Sequence, residues 1–404
     1  MNGGDLSPER LDRMHDVMAG HVGRGAVPGL VTLVSRRGEV RVDAICVQAL
    51  EDATPMRRET IFRIASLAKP ITAVAAMILV EECRLRLDDP VDPFLPELSD
   101  RRVLRRLDGP LDDTVPAARP ITLRDLLTLR MGFGSIMAPP GTYPLQAEIR
   151  RLELGGDGPP SPGTTPAPDE WMRRLGTLPL VQHPGERWMY HTGLDVLGVL
   201  IARVSGQPLD TFLRERLFDP LGMADTGFSV AAADLDRFAT SYGTDPQTGA
   251  LAVHDPAVGG QWSRPPPFPS GAGGLVSTVD DYLAFCQMLL DRGRGRDGRE
   301  RILSRPSVEL KTTDHLTQGQ KVGSDPFLGD HRGWGFGGAV DIRRDDLAAV
   351  PGRYGWDGGL GTSAYTDPTE GLIGILMTQR LMESPNGPAV FSDFWTSAYQ
   401  AIDD

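Results

Sequence analysis

The chain has 404 residues, 40% hydrophobic and 24% charged, which suits a globular protein with one two-lobed unit or two domains. A formal net charge of −12 and a pI near 5.1 argue against nucleic-acid binding, which needs a basic patch or stripe. No basic start with an apolar segment behind it opens the chain, and no apolar run reaches the ~18 residues of a membrane span. Cys46, Cys83 and Cys286 are widely spaced, so the expectation is a cytoplasmic protein with free, reduced cysteines in apolar surroundings.

In chain order, Ser7-Pro8 opens an amphipathic helix over residues 6–25, with Leu11, Met14, Met18 and Val22 three and four apart. GLVTLVSRRGEVRVDAICV places two β-branched runs around Arg36-Arg37-Gly38, which predicts a hairpin. Residues 66–86 read as an apolar helix with Ser66 and Lys69 near its start. The sequence has three lysines, Lys69, Lys311 and Lys321. Lysine is almost never fully buried without a partner, so Lys69 needs an exposed position or a task.

Between residues 88 and 275, prolines and glycines cut the chain into short helical pieces such as LDDPVDPFLPEL and ITLRDLLTLRMGFG. Residues 138–168 read as a long loop with one helical island, and such loops are functional lids or unstructured. DVLGVLIARVSGQPLDTFLRERLFDPLGM predicts two helices, and 256–274 is a second irregular stretch. Ser277 with Asp280 reads as a capping box opening a helix. GWGFGGAVDIRR, GTSAYTDP and GLIGILMTQR read as strands, and AVFSDFWTSAYQAI as a closing helix. The pattern predicts an α/β (α+β) lobe from residues 1–78 and 275–404, with a mainly helical, loop-rich lobe inserted over 79–274.

Three stretches carry chemistry. Ser66 and Lys69, three apart, share a helix face about 5–6 Å apart at Cβ. An ammonium desolvated against AVAAMILV has its pKa lowered, and a neutral lysine can activate a serine nucleophile. At a helix start the Ser66 amide is free for an oxyanion, and Pro70 is tolerated there. HPGERWMYHTGLDVLG then sets Tyr190 before a helix starting near Thr192, where a nearby lysine would lower its pKa for general base and acid work. Standing alone, this stretch reads first as a core tyrosine with a satisfied hydroxyl. His183 and His191 read as ordinary polar residues. In YGWDGGLGTSAYTDP, Trp356 offers an aromatic wall, and Gly358, Gly359 and Gly361 open backbone amides to a substrate carbonyl. By itself this stretch reads first as a plain hairpin turn. GRGRDG (293–298) and GWGFGG (333–338) match G-x-G-x-x-G without the strand, helix and acidic residue of a dinucleotide site. With no G-x-S-x-G, Walker loop or metal-ligand spacing, neither cofactor nor metal is expected.

Together, and over about residues 8–400, these blocks resemble the serine β-lactamase and penicillin-binding-protein superfamily, in its class C-like branch. FRIASLAKPITA resembles the S-x-x-K block, PGERWMYHTGLDVLG the tyrosine block, and GWDGGLGTSAYTDP the block on the strand lining the site. The resemblance implies a β-lactamase/transpeptidase-like fold with an antiparallel sheet flanked by helices. It also implies Ser66 as the acylated nucleophile, Lys69 and Tyr190 as the proton-transfer pair, and the amides of Ser66 and Gly359 as the oxyanion hole. Two departures bear on the substrate. Tyr190-His191-Thr192 replaces Y-x-N, removing the amide that would grip a lactam. Trp356-Asp357-Gly358 replaces K-T-G, exchanging a cation for an indole and an acid. A buried substrate carboxylate left unpaired is costly, so the pattern disfavours penicillins and D-Ala peptides. A tryptophan in that place is similar to family VIII carboxylesterases and some related acyltransferases.

The expected function is a serine hydrolase acting through an acyl-enzyme, a carboxylesterase on short or medium acyl esters. Loops 138–168 and 256–270 are the expected pocket walls, with Thr192, Trp356, Asp357 and Gly358 touching substrate. An acyltransferase using the same Ser-Lys-Tyr site is the alternative, and a weak β-lactamase or a penicillin-binding protein without efficient turnover is a further one. The expected partner is a small-molecule ester or acyl substrate, with no nucleic acid or membrane, and the oligomeric state is left open.

Overall fold

A computed structural model describes residues 6–155, 158–295, 298 and 301–404 of the chain. The stretches 138–168 and 293–298 noted above lie partly outside the described residues. Among the described residues the main sheet has seven strands. They are β1 (Gly29–Arg36), β2 (Glu39–Cys46), β3 (Arg332–Trp334), β4 (Ala339–Asp341), β5 (Tyr354–Gly358), β6 (Thr362–Asp367) and β7 (Leu372–Thr378). Their spatial order is β2-β1-β7-β6-β5-β4-β3, antiparallel throughout. The two ends of the chain meet at β1 and β7, where Leu30 faces Thr378 and Arg36 faces Leu372.

Five helices matter for the site or the core: α1 (Pro8–Gly23), α2 (Ala68–Glu81), α3 (Thr192–Ser205), α4 (Val279–Leu290) and α5 (Ala389–Gln400). Successive strand residues point to opposite faces. In β1, Leu30 and Val34 join the cluster of Met14, Met18, Phe394 and Trp395 from α1 and α5. Val31 and Leu33 join the opposite cluster, with α2 and α4. Covered on both faces, β1 and β7 are buried along their whole length, which is why they read as largely apolar runs. α2 is buried from Ala68 to Leu79 and packs against α3, so its apolar character extends all round.

The two-residue strand Phe62–Arg63 pairs with Val276–Ser277 and leads into Ser66. The buried Arg63 anchors this crossing. Its Nε donates to Asp255 at 2.9 Å and its Nη1 to the Ala239 carbonyl at 2.6 Å, with the guanidinium 4.0 Å over the Phe238 ring. Burial pulls Arg63 down to about 10, with Asp255 opposing.

Several expectations are corrected. The helix after residue 277 is capped by Thr278, whose hydroxyl accepts the Asp281 N–H at 3.3 Å. Ser277 is held in strand pairing instead, with its Oγ 2.8 Å from Thr226 Oγ1, so the helix starts one residue later. Cys286 is buried, but Cys46 and Cys83 are exposed; all three are free. Two short hairpins, Arg102–Leu104 with Thr114–Pro116 and Ser241–Thr244 with Leu251–Asp255, break the helical middle of the chain. The irregular stretch after 256 is pinned by the fully buried Trp262, whose indole N–H donates to the Gly274 carbonyl at 2.9 Å. Among the described residues, no helix is long and apolar enough to cross a membrane.

Candidate active site

Ala65 adopts φ +44, turning the chain from the strand at 62–63 into a single 3-10 turn, Ala65–Leu67, that continues as α2. A non-glycine residue in that region is strained, and such strain gathers at functional sites. The turn presents Ser66 to a cavity. Lys69, one helical turn on, is fully buried. Its Nζ lies 2.8 Å from Ser66 Oγ, 2.7 Å from the Ala272 carbonyl and 3.3 Å from His191 Nδ1. Burial pushes Lys69 down to about 7 from an ordinary 10.5, with the Asp195 carboxylate opposing. Near neutrality its amine therefore carries a usable lone pair.

The Tyr190 ring is packed among Trp188, Phe327, Trp334 and Trp356. This apolar cage raises the hydroxyl well above the ordinary tyrosine value, against the lowering effect of bonds with Ser66 and Trp356. The lowering expected from a nearby lysine is thus reversed, because desolvation wins. An indole N–H can only donate, so Trp356 Nε1 donates to Tyr190 Oη at 2.6 Å. That leaves the phenol hydrogen for Ser66. The site holds an amine that loses its proton near neutrality beside a phenol that keeps its own. Opposed displacements of this kind separate a base from an acid.

The third block divides its tasks. Trp356 is buried and serves Tyr190 as well as the cavity wall. Asp357 reaches the cavity while accepting hydrogen bonds from Ser363 Oγ at 2.5 Å and from the Tyr365 hydroxyl at 3.2 Å. Gly358 does not admit substrate as expected. A Cβ there would stand 2.4 Å from the Ile64 carbonyl and 2.2 Å from Thr362 Oγ1, so the missing side chain lets β5 close onto the segment before Ser66. Gly361, at φ +103, turns the chain against Arg380 and Thr378. Gly359 is open: nothing stands within 4 Å of an added Cβ, and it lines the cavity with Ser66.

Two chambers adjoin one another, and one of them contains the serine. One, of about 720 Å³, contains Ser66, Tyr190, Trp356, Asp357 and Gly359. The other, of about 600 Å³, has apolar walls that include Phe133, Ile149, Trp171 and Phe268, and a polar end formed by His191, Thr192, Asp195 and Ser270. Ser135, Ile136, Pro159, Pro160 and His191 border both. Thr192 lines the second chamber rather than the nucleophile's, because it already belongs to the first turn of α3. Any substrate contact of Thr192 would therefore be made from the second chamber.

Sequence reasoning missed His191. Its Nδ1 faces Lys69 and its Nε2 lies 3.2 Å from Asp195 Oδ2. Asp195 also accepts Ser270 Oγ–H at 2.6 Å and the Ala272 N–H at 3.1 Å. Burial pushes its carboxyl up, but these bonds outweigh that and hold it below the ordinary value. The available signal was a histidine and an aspartate four apart across a helix start, with the small-residue run SGAGG (270–274) to close over them. Among the described residues, Asp330, His331 and Asp345 bring ligand atoms within 4.8 Å of one another. Arg343 already bonds both carboxylates, at 2.9 and 3.2 Å, so that cluster is an ion-pair network.

A Beta-lactamase family model matches residues 14–390. The chain is 40% identical over 365 residues to an uncharacterized protein of Mycobacterium tuberculosis, covering 88% of this chain and 86% of that one. It is 31% identical over 389 residues to esterase EstB of Burkholderia gladioli, covering 89% and 88%. Among solved structures it is similar to EstCE1, a hydrolase with promiscuous acyltransferase activity, with a TM-score of 0.78 and 27% identity over 96% of this chain and 98% of that one. With the sheet, the Ser66–Lys69–Tyr190 grouping and these matches in agreement, the chain belongs to the Beta-lactamase family.

Proposed function

We propose that the protein is a carboxylesterase that hydrolyses short to medium acyl esters through an acyl-enzyme on Ser66. The observation that carries this is Lys69 Nζ 2.8 Å from Ser66 Oγ, with an indole in place of the cation that a carboxylate-bearing lactam would need. Neutral Lys69 takes the Ser66 proton as Oγ attacks the ester carbonyl, and the oxyanion is received by the amides of Ser66 and Gly359. The carbonyl re-forms, the C–O bond to the alcohol breaks, and Tyr190 donates its phenol proton to the departing alkoxide. The Lys69 ammonium, 4.5 Å from the ring centroid, restores the tyrosine proton. Water then attacks the ester on Ser66 as Lys69 takes its proton, the bond to Ser66 Oγ breaks, and Lys69 returns that proton to Oγ as the acid leaves. A small-molecule ester is the proposed partner, and the free cysteines support a cytoplasmic location as part of the same proposal.

The test is the steady-state rate on p-nitrophenyl esters from C2 to C12, for wild type and Ser66→Ala. Turnover that vanishes in the variant supports the reading, and a wild type without turnover overturns it. The second chamber favours one further reading, acyl transfer to an alcohol held there. Added alcohols would then divert the acyl group from water to a new ester, detected by mass spectrometry.

A further inference from the structure

His191 occupies an unusual backbone. Its φ and ψ are +81 and −70, and the Thr192 N–H bonds the Tyr190 carbonyl at 3.2 Å across it. This is a γ-turn of the rare hand, strained for any residue with a Cβ. Its effect is directional. Tyr190 and His191 are adjacent in sequence, yet both reach Lys69, the tyrosine with its ring and the histidine with Nδ1.

The hydrogen-bond partners assign the imidazole tautomer. A carboxylate only accepts, so Nε2 carries the hydrogen toward Asp195, and Nδ1 is left as an acceptor toward Lys69. Around Lys69 Nζ, two acceptors, Nδ1 and the Ala272 carbonyl, take two of the amine's hydrogens. A neutral amine held by both has one direction left for its lone pair, and Ser66 Oγ stands there. Among the described residues, titratable groups facing His191 include Lys69 from α2, Asp195 from α3, and Tyr190, whose ring centroid is 5.9 Å away. The 270–274 segment contributes the neutral Ser270 and Ala272, which hold Asp195 from behind.

We propose that His191, fixed by Asp195, is a positioning residue that aims the Lys69 lone pair at Ser66 and closes Lys69 off from the second chamber. The inference rests on Lys69 being the base.

Two variants test it. In Asp195→Asn the amide can donate to Nε2, which moves the imidazole hydrogen to Nδ1. Nδ1–H then binds the Lys69 lone pair and draws it from Ser66. The expected result is a kcat lower by about 100-fold, within the range of a lost general base, with KM within about threefold. His191→Gly removes the imidazole and suits the positive φ, so it should melt no lower than wild type. Opening Lys69 to water should shift the acidic limb of its kcat/KM profile upward, and added imidazole should restore part of the rate. A His191→Gly enzyme within about threefold of wild type, with the limb unmoved and no response to imidazole, overturns the proposal. Should that variant fail to fold, Asp195→Asn at wild-type kcat overturns it alone. Wild-type turnover that is lost in Ser66→Ala keeps the esterase reading standing in either case.

Discussion

Lys69 is a cation in the unfolded chain at neutral pH, but in the fold its amine titrates near 7. Between about pH 7 and 10.5 the unfolded chain therefore binds more protons at this residue, and stability rises with pH across that window. At pH 7 the penalty is roughly 4 kcal/mol. Lys69→Met removes it but leaves the Ala272 carbonyl without its donor, at about 1–3 kcal/mol. The variant should be inactive yet more stable in urea at pH 7 by about 1–3 kcal/mol, with the gain gone near pH 10.5. For wild type, kcat/KM should rise as pH passes about 7, because the neutral amine is the working form. A flat profile from pH 5 to 9 would count against Lys69 as base. Trp356→Phe keeps a ring in the cage but deletes the 2.6 Å bond to Tyr190, and should lower kcat about tenfold or more with little change in KM.

At the scale of elements, the turn before α2 is pressed against β5, and the two glycines there behave oppositely. Gly358→Ala drives a Cβ into the Ile64 carbonyl, so β5 must move off the nucleophile turn. We expect about 1–3 kcal/mol of destabilisation by chemical denaturation and a marked fall in kcat. Gly359→Ala meets open space and should leave the melting temperature unchanged. Legibility followed the same division. Ser66 and Lys69 could be read because one helical turn joins them, and Tyr190 because a turn and a helix start frame it. Lys69 meets His191 and Ala272 across 122 and 203 positions of sequence, so no local pattern announced them. The strand character of 29–36 and 372–378 was plain, since burial on both faces leaves largely apolar, β-branched runs. The hairpins at 102–116 and 241–255 were not, because their strands are short and carry polar residues.

Over the whole molecule, the segment leading to the nucleophile is anchored by charge as well as by packing. Arg63 lies three residues before Ser66, and its buried guanidinium is held by Asp255 from the far hairpin. Asp255→Ala strands that cation and the Gln261 N–H together, and should cost about 3–5 kcal/mol in chemical denaturation. Asp255→Asn keeps the shape but halves the acceptor capacity, and should fall between the two. Measured against Gly358→Ala, this pair separates loss of global stability from local displacement of the serine.

The serine's chamber has a neighbour, and neighbouring chambers can divide traffic. Because the two chambers adjoin but are lined by largely different residues, the departing alcohol and the incoming nucleophile need not share one path. A long acyl tail parked on one side leaves the other side passable. A product alcohol and a slow acyl substrate analogue should then occupy the enzyme at the same time, giving crossing rather than parallel lines in a double-inhibition plot.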